Sequence, residues 1–257
     1  MLALAQWTPP KLIGVLTDID DTLTRQGQIE PEALQALTAV KAAGLLVMAI
    51  TGRPVGWSEP FARDWPVDAI VAENGAVALQ NSAQGLVKTY QQDAATRAEN
   101  FSRMQAALHN IEQTIQGASR SQDSWGRETD IAIDHSEFTQ LAPETVAQVV
   151  QALQSQGLHA TVSSIHINAW IGEHNKLQGA RWALRTLFGR DLDAELEQWV
   201  YVGDSTNDQL MFEHLPHSVG VANIEDFADQ LSHPPRYVTQ GARGQGFAEL
   251  VQHLLKA

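Results

Sequence analysis

Residues 11–17, KLIGVLT, form a short apolar run that ends directly in Asp18-Ile19-Asp20-Asp21. A partly β-branched run of this kind suits a strand buried on both faces, as in a parallel sheet. Residues 30–43, EPEALQALTAVKAA, follow it, with Pro31 near a helix start, Leu34, Leu37 and Val40 in one stripe, and Gly44 as a stop. A second apolar run, residues 45–51, LLVMAIT, completes a strand–helix–strand unit. That order implies a right-handed crossover between parallel strands. A third short strand, 69–72, ends at Glu73-Asn74-Gly75.

The same grammar returns near the C-terminus. Residues 177–188 read as a helix, 199–203 as a strand, and 208–214 as part of another helix. Short strands are expected at 218–222 and 236–239, and a closing helix at 247–255. The middle is different. Helices are expected at 93–116 and 143–156, and the segments 130–135 and 163–171 alternate with period two. Alternation signals a sheet with one covered face and one polar face. The expected architecture is α/β: a doubly wound, mostly parallel, Rossmann-like core sheet with an inserted α+β domain. The expected boundaries are 1–81 and 173–257 for the core and 82–172 for the insert.

The chemistry-bearing residues sit where such a fold keeps its ligands, at the carboxyl ends of strands. Asp18, Asp20 and Asp21 follow the first strand, Thr51-Gly52-Arg53 the second, and Gly203-Asp204-Ser205-Thr206-Asn207-Asp208 a later one. Lys176 enters a helix. Clustered carboxylates repel one another unless a cation or proton is shared. Oxygen-rich clusters suit a hard ion, Mg²⁺ before Ca²⁺ or Mn²⁺. A carboxylate held beside such an ion can attack phosphorus, while a hydroxyl and an ammonium stabilise the other phosphoryl oxygens.

Composition narrows the field. The chain has 257 residues, no cysteine, and 17 Lys+Arg against 30 Asp+Glu, a net charge of −13. Disulfides, thiolate metal sites and cysteine nucleophiles are thereby excluded. The acidity argues against nucleic-acid and anionic-membrane partners, which need basic surface. Neither a signal peptide nor a run near the ~20 apolar residues of a spanning helix is visible, so a cytoplasmic location is expected. Nothing implies an obligate protein partner.

DIDDTLT, TGR, a downstream Lys and GDSTND resemble, in order, the four motifs of the haloacid dehalogenase-like (HAD) phosphatase superfamily. AENGA at 72–76, and an α+β insert between the second and third motifs, are similar to the Cof-type branch, subfamily IIB. The resemblance implies a Mg²⁺-dependent phosphatase of small phosphorylated metabolites, sugar phosphates preferred, working through an aspartyl-phosphate. It implies Asp18 as nucleophile and metal ligand, and Asp20 as general acid/base with its backbone carbonyl on the metal. Asp204 becomes a further metal ligand, and Thr51, Gly52, Lys176 and Asn207 bind phosphate, with Asp208 in support. The insert becomes a cap whose polar strand face, His166, Asn168 and Trp170, turns toward the substrate, so that a sugar stacks on Trp170.

Several residues stay open on the sequence. Arg53 either reaches the substrate or pairs with an acid such as Glu73. Asp21 stands where many relatives of this kind have Gly, and either caps the turn or alters the metal shell. Trp57 is core or contact. The GARGQG run, 241–246, lacks the Lys-Ser/Thr of a nucleotide loop and reads as a mobile connection. His159 and His174 have no partner at metal spacing and read as surface residues. Three rivals remain: a sugar phosphomutase of the phosphomannomutase type, a receiver-type phospho-acceptor domain about half this length, and a silent binding module.

Overall fold

The computed structural model describes residues 1–256. Nine strands form one sheet in the order Leu2–Ala3, Tyr237–Val238, Ser218–Gly220, Trp199–Gly203, Gly14–Thr17, Leu46–Ile50, Ala69–Ala72, Val77–Ser82, Gly85–Tyr90. Pairing is parallel as far as Ala69–Ala72, and the last two strands are antiparallel. The strand pair that carries the first and last acid motifs, Gly14–Thr17 and Trp199–Gly203, lies side by side at the centre.

Neighbouring residues on each central strand feed opposite cores. Val15, Val47, Ala49, Val200 and Val202 pack against helices Pro31–Ala42 and Arg243–Lys256 through Leu37, Val40, Phe247 and Leu250. Leu16, Met48, Ile50 and Tyr201 pack on the other face against Lys176–Phe188 and Gln209–His214. Both faces are covered, so the strands are apolar throughout, and the acids collect in the turns at their ends. Helix Lys176–Phe188 approaches the Glu73-Asn74-Gly75 turn backbone to backbone: a Cβ on Gly179 would lie 2.4 Å from the Gly75 Cα. Gly75 itself has φ +112°, which a Cβ disfavours.

The second sheet has the order His159–Val162, His166–Trp170, Asp130–Asp134, Ser119–Arg120, all antiparallel. Ile131, Ile133, Ile167 and Ala169 back onto helices Ala94–Thr114 and Pro143–Ser155. The chain reaches this sheet later than residue 82. The hairpin Val77–Ser82 and Gly85–Tyr90 lengthens the large sheet instead, because Val77, Ala78 and Leu79 are buried against its edge. The sequence showed no strand signal there, nor one for Leu2–Ala3. Among the described residues, no helix is long and apolar enough to cross a membrane.

His174 corrects the surface expectation. It is buried and stacks on Trp170, with ring centroids 5.5 Å apart. Its Nε2 has no hydrogen-bond partner. Burial, with His159 adding repulsion, carries its pKa from 6.5 down to about 4. Below pH 6.5 the unfolded chain takes up a proton that the native ring refuses, so stability present above 6.5 is lost as pH falls toward 4. The contribution is at most about 3 kcal/mol. His174→Phe keeps the stack and removes the titration. Urea unfolding between pH 7 and 4.5 should show the acid loss shrinking in this variant; an identical loss in both proteins would remove His174 as its source.

Candidate active site

Lys176 is the first residue of its helix, behind the cap Asn175, whose side chain accepts the Gln178 N–H. Its buried ammonium donates to Asp18 Oδ1 at 2.6 Å and Asp208 Oδ1 at 2.7 Å, with Asn207 Oδ1 at 3.4 Å. Burial disfavours its charge, but Asp18 and Asp208 overcome this and raise its pKa. Asp208 is fully engaged as an acceptor. Its Oδ2 takes the N–H groups of Asp204 and Ser205, and Tyr201 donates its hydroxyl to Oδ1. Asp208 therefore fixes Lys176, and Lys176 fixes Asp18.

Asp204 has no such cation. It is fully buried and, among the described residues, accepts only from Thr22 Oγ1 at 3.4 Å and Asn223 Nδ2 at 3.2 Å. Burial raises its pKa well above the carboxylate range, and Asp18, Asp208 and Asp21 push the same way. Asp18 is pushed up to about 7 by burial, against Lys176 and with Asp208 and Asp20 adding to the rise. Oxygens of Asp18, Asp204 and Asp208 lie within 4.8 Å of one another. All-oxygen donors, excess negative charge and short separations fit a hard divalent cation, with Asp18 and Asp204 the better donors because Asp208 is spent on Lys176 and Tyr201.

Asp20 turns away from this cluster. Its Oδ1 accepts Arg53 Nε at 2.9 Å, and Thr51 Oγ1 lies 3.5 Å from Oδ2. Thr51 Oγ1 also accepts the Arg53 N–H, so the second strand end holds both groups in place. Arg53 does not pair with Glu73. Its other nitrogens go to Glu137 (2.7 Å) and Asp123 (3.2 Å) from the inserted segment, and its guanidinium lies 4.9 Å from the Trp57 ring. Glu73 instead binds the N–H groups of Val55, Glu128 and Thr129 across the same junction.

The insert closes over the strand ends. The Gly52 carbonyl accepts from Arg127 Nη1 at 3.0 Å and Asn168 Nδ2 at 3.1 Å, and Thr206 Oγ1 donates to the Val162 carbonyl at 2.7 Å. A Cβ on Gly52 would come within 3.0 Å of Asn168 Oδ1. His166 Nε2 lies 2.9 Å from Glu137 Oε2. His166 and Asn168 thus reach the strand ends, the side on which the resemblance put them. Trp170 does not. It lies at the far end of the strand, opposite Asp130 and His159, sandwiched between His159 and His174, and its Nε1 donates to the His174 carbonyl. Its large ring is used to close the insert's own core.

Beside Asp18, Asp20, Gly52, His166, Asn168 and Asn207 lies an inner pocket of about 10 Å³, room for about one water. It adjoins a cleft of about 510 Å³ shared by Asp20, Arg53, Glu137, Ser164 and Arg243. Sequence reasoning missed Asp123, Glu137 and Asn223, each of which acts through a partner distant in the chain, and Tyr201, whose place in an apolar strand hides its bond to nearby Asp208. It also misread the GARGQG run. That segment opens helix Arg243–Lys256 and is packed, with Gly246 against Gly241 and Thr239. The Arg243 N–H is held by Asn223 Oδ1 at 2.9 Å.

Comparison with known proteins agrees with this geometry. Residues 15–116 match the family model of the haloacid dehalogenase-like hydrolases. The phosphoglycolate phosphatase of Methanosarcina mazei is 25% identical over 95% of this chain and 97% of its own. In fold, the chain is similar to the sucrose-phosphatase of Synechocystis (TM-score 0.67, 17% identity, 95% and 98% of the two chains). It is also similar to a sugar phosphatase of HAD subclass IIB (TM-score 0.65, 17% identity, 96% and 100%). The chain is thus similar to the haloacid dehalogenase-like hydrolases through residues 15–116, resembles a phosphoglycolate phosphatase over nearly its whole length, and has the fold of Cof-like members of the superfamily.

Proposed function

We propose that this protein is a Mg²⁺-dependent phosphatase of small phosphorylated metabolites, sugar phosphates above all, and that it works through a phosphorylated Asp18. The observation that carries the reading is the buried convergence of Asp18, Lys176, Asp204 and Asp208 at adjacent strand ends. The large sheet with its helices serves as the catalytic core, and the segment between residues 91 and 172 as a cap that selects the substrate.

On this reading the substrate phosphoryl group enters between Asp18, Thr51 and Lys176 and displaces the direct contact of Lys176 with Asp18. An Asp18 oxygen attacks phosphorus, and the bond to the leaving oxygen breaks. Asp20 supplies the proton to that oxygen, then takes one from the water that hydrolyses the acyl phosphate. Lys176, the Thr51 hydroxyl and the Gly52 backbone neutralise charge on the equatorial oxygens. Asn207, whose Oδ1 already accepts from Lys176 and Ser205, keeps the ammonium aimed at the phosphoryl group. Mg²⁺ bound by Asp18 and Asp204, with the Asp20 carbonyl, would offset repulsion between the phosphate and the acids. Arg53 holds Asp20 through Nε while gripping cap acids, so cap placement and acid placement are linked. The cap shields the acyl phosphate from stray water. The substrate preference draws on the polar cleft and on the sugar phosphatases of the same fold, no longer on stacking against Trp170.

Phosphate release should be measured across a panel of sugar and other phosphates, with Mg²⁺ and with excess chelator. Turnover is expected only with the metal. Asp18→Asn should lower kcat by at least about 10³-fold with the fold intact, and Asp20→Ala by about 10²–10⁴-fold. Retained activity in Asp18→Asn would exclude it as nucleophile. Sparse phosphate release that needs a sugar bisphosphate activator would mark a mutase.

The metal can be tested without turnover. In metal-free protein, Asp204→Asn replaces a buried carboxyl crowded by other acids and should leave the chain at least as stable as the wild type. Mg²⁺ should then raise the unfolding midpoint of the wild type but not of the variant. A midpoint raised equally in both would place the ion elsewhere.

A further inference from the structure

Two features left unexplained by the sequence meet in the structure. Asp21, the acid of the first motif with no role in the chemistry above, accepts Arg243 Nε on Oδ1 at 2.7 Å. The two residues are 222 positions apart in the chain. Asn223 clamps the pair from behind: its Nδ2 donates to the Asp21 carbonyl at 3.0 Å, and its Oδ1 accepts the Arg243 N–H at 2.9 Å. The same Nδ2 reaches Asp204, which ties the pair to the acid cluster. Both residues have left-handed backbone, φ +53° each, a conformation uncommon outside glycine. Asp and Asn tolerate it better than Arg, so Arg243 is held there by its contacts rather than by preference.

Both side chains line the 510 Å³ cleft beside Asp20 and Arg53. Arg53 has its nitrogens committed to Asp20, Glu137 and Asp123. Arg243 has only Nε engaged; its two terminal nitrogens bond no described residue. Asp21 likewise keeps Oδ2 free of any described donor. A fixed fork of donors therefore stands beside a fixed carboxylate oxygen, half-buried at the mouth of the site.

We propose that the Asp21–Arg243 pair is a specificity-determining subsite that binds neighbouring hydroxyls of a neutral, polyhydroxylated leaving group, a phosphorylated monosaccharide. A vicinal diol offers both donors and acceptors, and the pair supplies the complement: Arg243 donates to one hydroxyl and Asp21 Oδ2 accepts from the next. Charge decides against an acidic leaving group. With Asp20 protonated as the leaving-group acid, Asp21 and Glu137 match the two guanidiniums, each of which is already paired, so no uncompensated cation of the cleft awaits a second anion. Size points the same way, because the cleft falls within the about 300–1,000 Å³ of ordinary small-molecule sites, and a two-carbon acid would leave most of it to water. This inference rests on the phosphatase reading above.

The test compares kcat/KM for hexose 6-phosphates, 2-phosphoglycolate and p-nitrophenyl phosphate, with Mg²⁺ throughout. The wild type should favour a hexose phosphate over 2-phosphoglycolate. In Arg243→Met and Asp21→Ala, the ratio of kcat/KM for the hexose phosphate to that for p-nitrophenyl phosphate should fall about tenfold, mainly through KM. Arg243→Lys and Asp21→Asn, which perturb the turn less, serve if either variant folds poorly, and should lower the same ratio. A tie that is only structural would lower the unfolding midpoint and reduce both activities together, leaving the ratio unchanged; that result overturns the proposal. So does preference for 2-phosphoglycolate. Hydrolysis of p-nitrophenyl phosphate with no hexose phosphate accepted sinks this inference alone, whereas inactivity on every compound brings down the phosphatase reading with it.

Discussion

Among the described residues, the ammonium of Lys176 is the only cation in direct contact with the buried cluster Asp18, Asp204 and Asp208. It touches Asp18 and Asp208, and Asp208 in turn is anchored by Tyr201 and by two backbone N–H groups. Removing one partner of such a buried pair leaves an uncompensated charge, which costs more than the pair contributes when complete. The site is therefore rigid around Lys176 and short of positive charge around Asp204. That imbalance is costly for the fold, and it is the charge that the proposed divalent ion would offset.

Arg53 does for the junction what Lys176 does for the core. Its Nε holds Asp20, its other nitrogens hold Glu137 and Asp123, and its plane rests on Trp57. These contacts hold Glu137 well down, to about 2: burial alone would raise it, and the nearby His166 ring and the bonds from Arg53 outweigh that. The inner pocket of about 10 Å³ shows how fully the insert covers the strand ends in this arrangement. On the proposed reading a phosphoryl group needs more room than this pocket offers, so its entry would be coupled to the contacts across the junction.

Much of the core was legible because its signals are local. An apolar run of four or five residues followed by acids declares a buried strand and the turn that ends it, and Ala69–Ala72 and Trp199–Gly203 lie at their expected positions. Period-two alternation correctly divided Ile167 and Ala169, on the helices, from His166 and Asn168, on the strand ends. Trp170 obeys the same parity but sits too far along the strand, a distance that periodicity does not encode. The hairpin at 77–90 was missed because its outer strand alternates weakly and its inner strand is buried by tertiary contact alone. His174 was read as exposed because a lone histidine gives no hint of the rings that enclose it.

The sequence by itself determined which chemical groups stand at which strand ends, because hydrophobic runs and the turns that end them are set by residues close in the chain. Only the tertiary structure decided the partners. Arg53 chose Asp20, Glu137 and Asp123 over Glu73, Asp204 was left without a cation, and Asp21 found Arg243 across 222 residues. Charges pair by proximity and desolvation, and both are properties of the packed molecule that no spacing in the chain records.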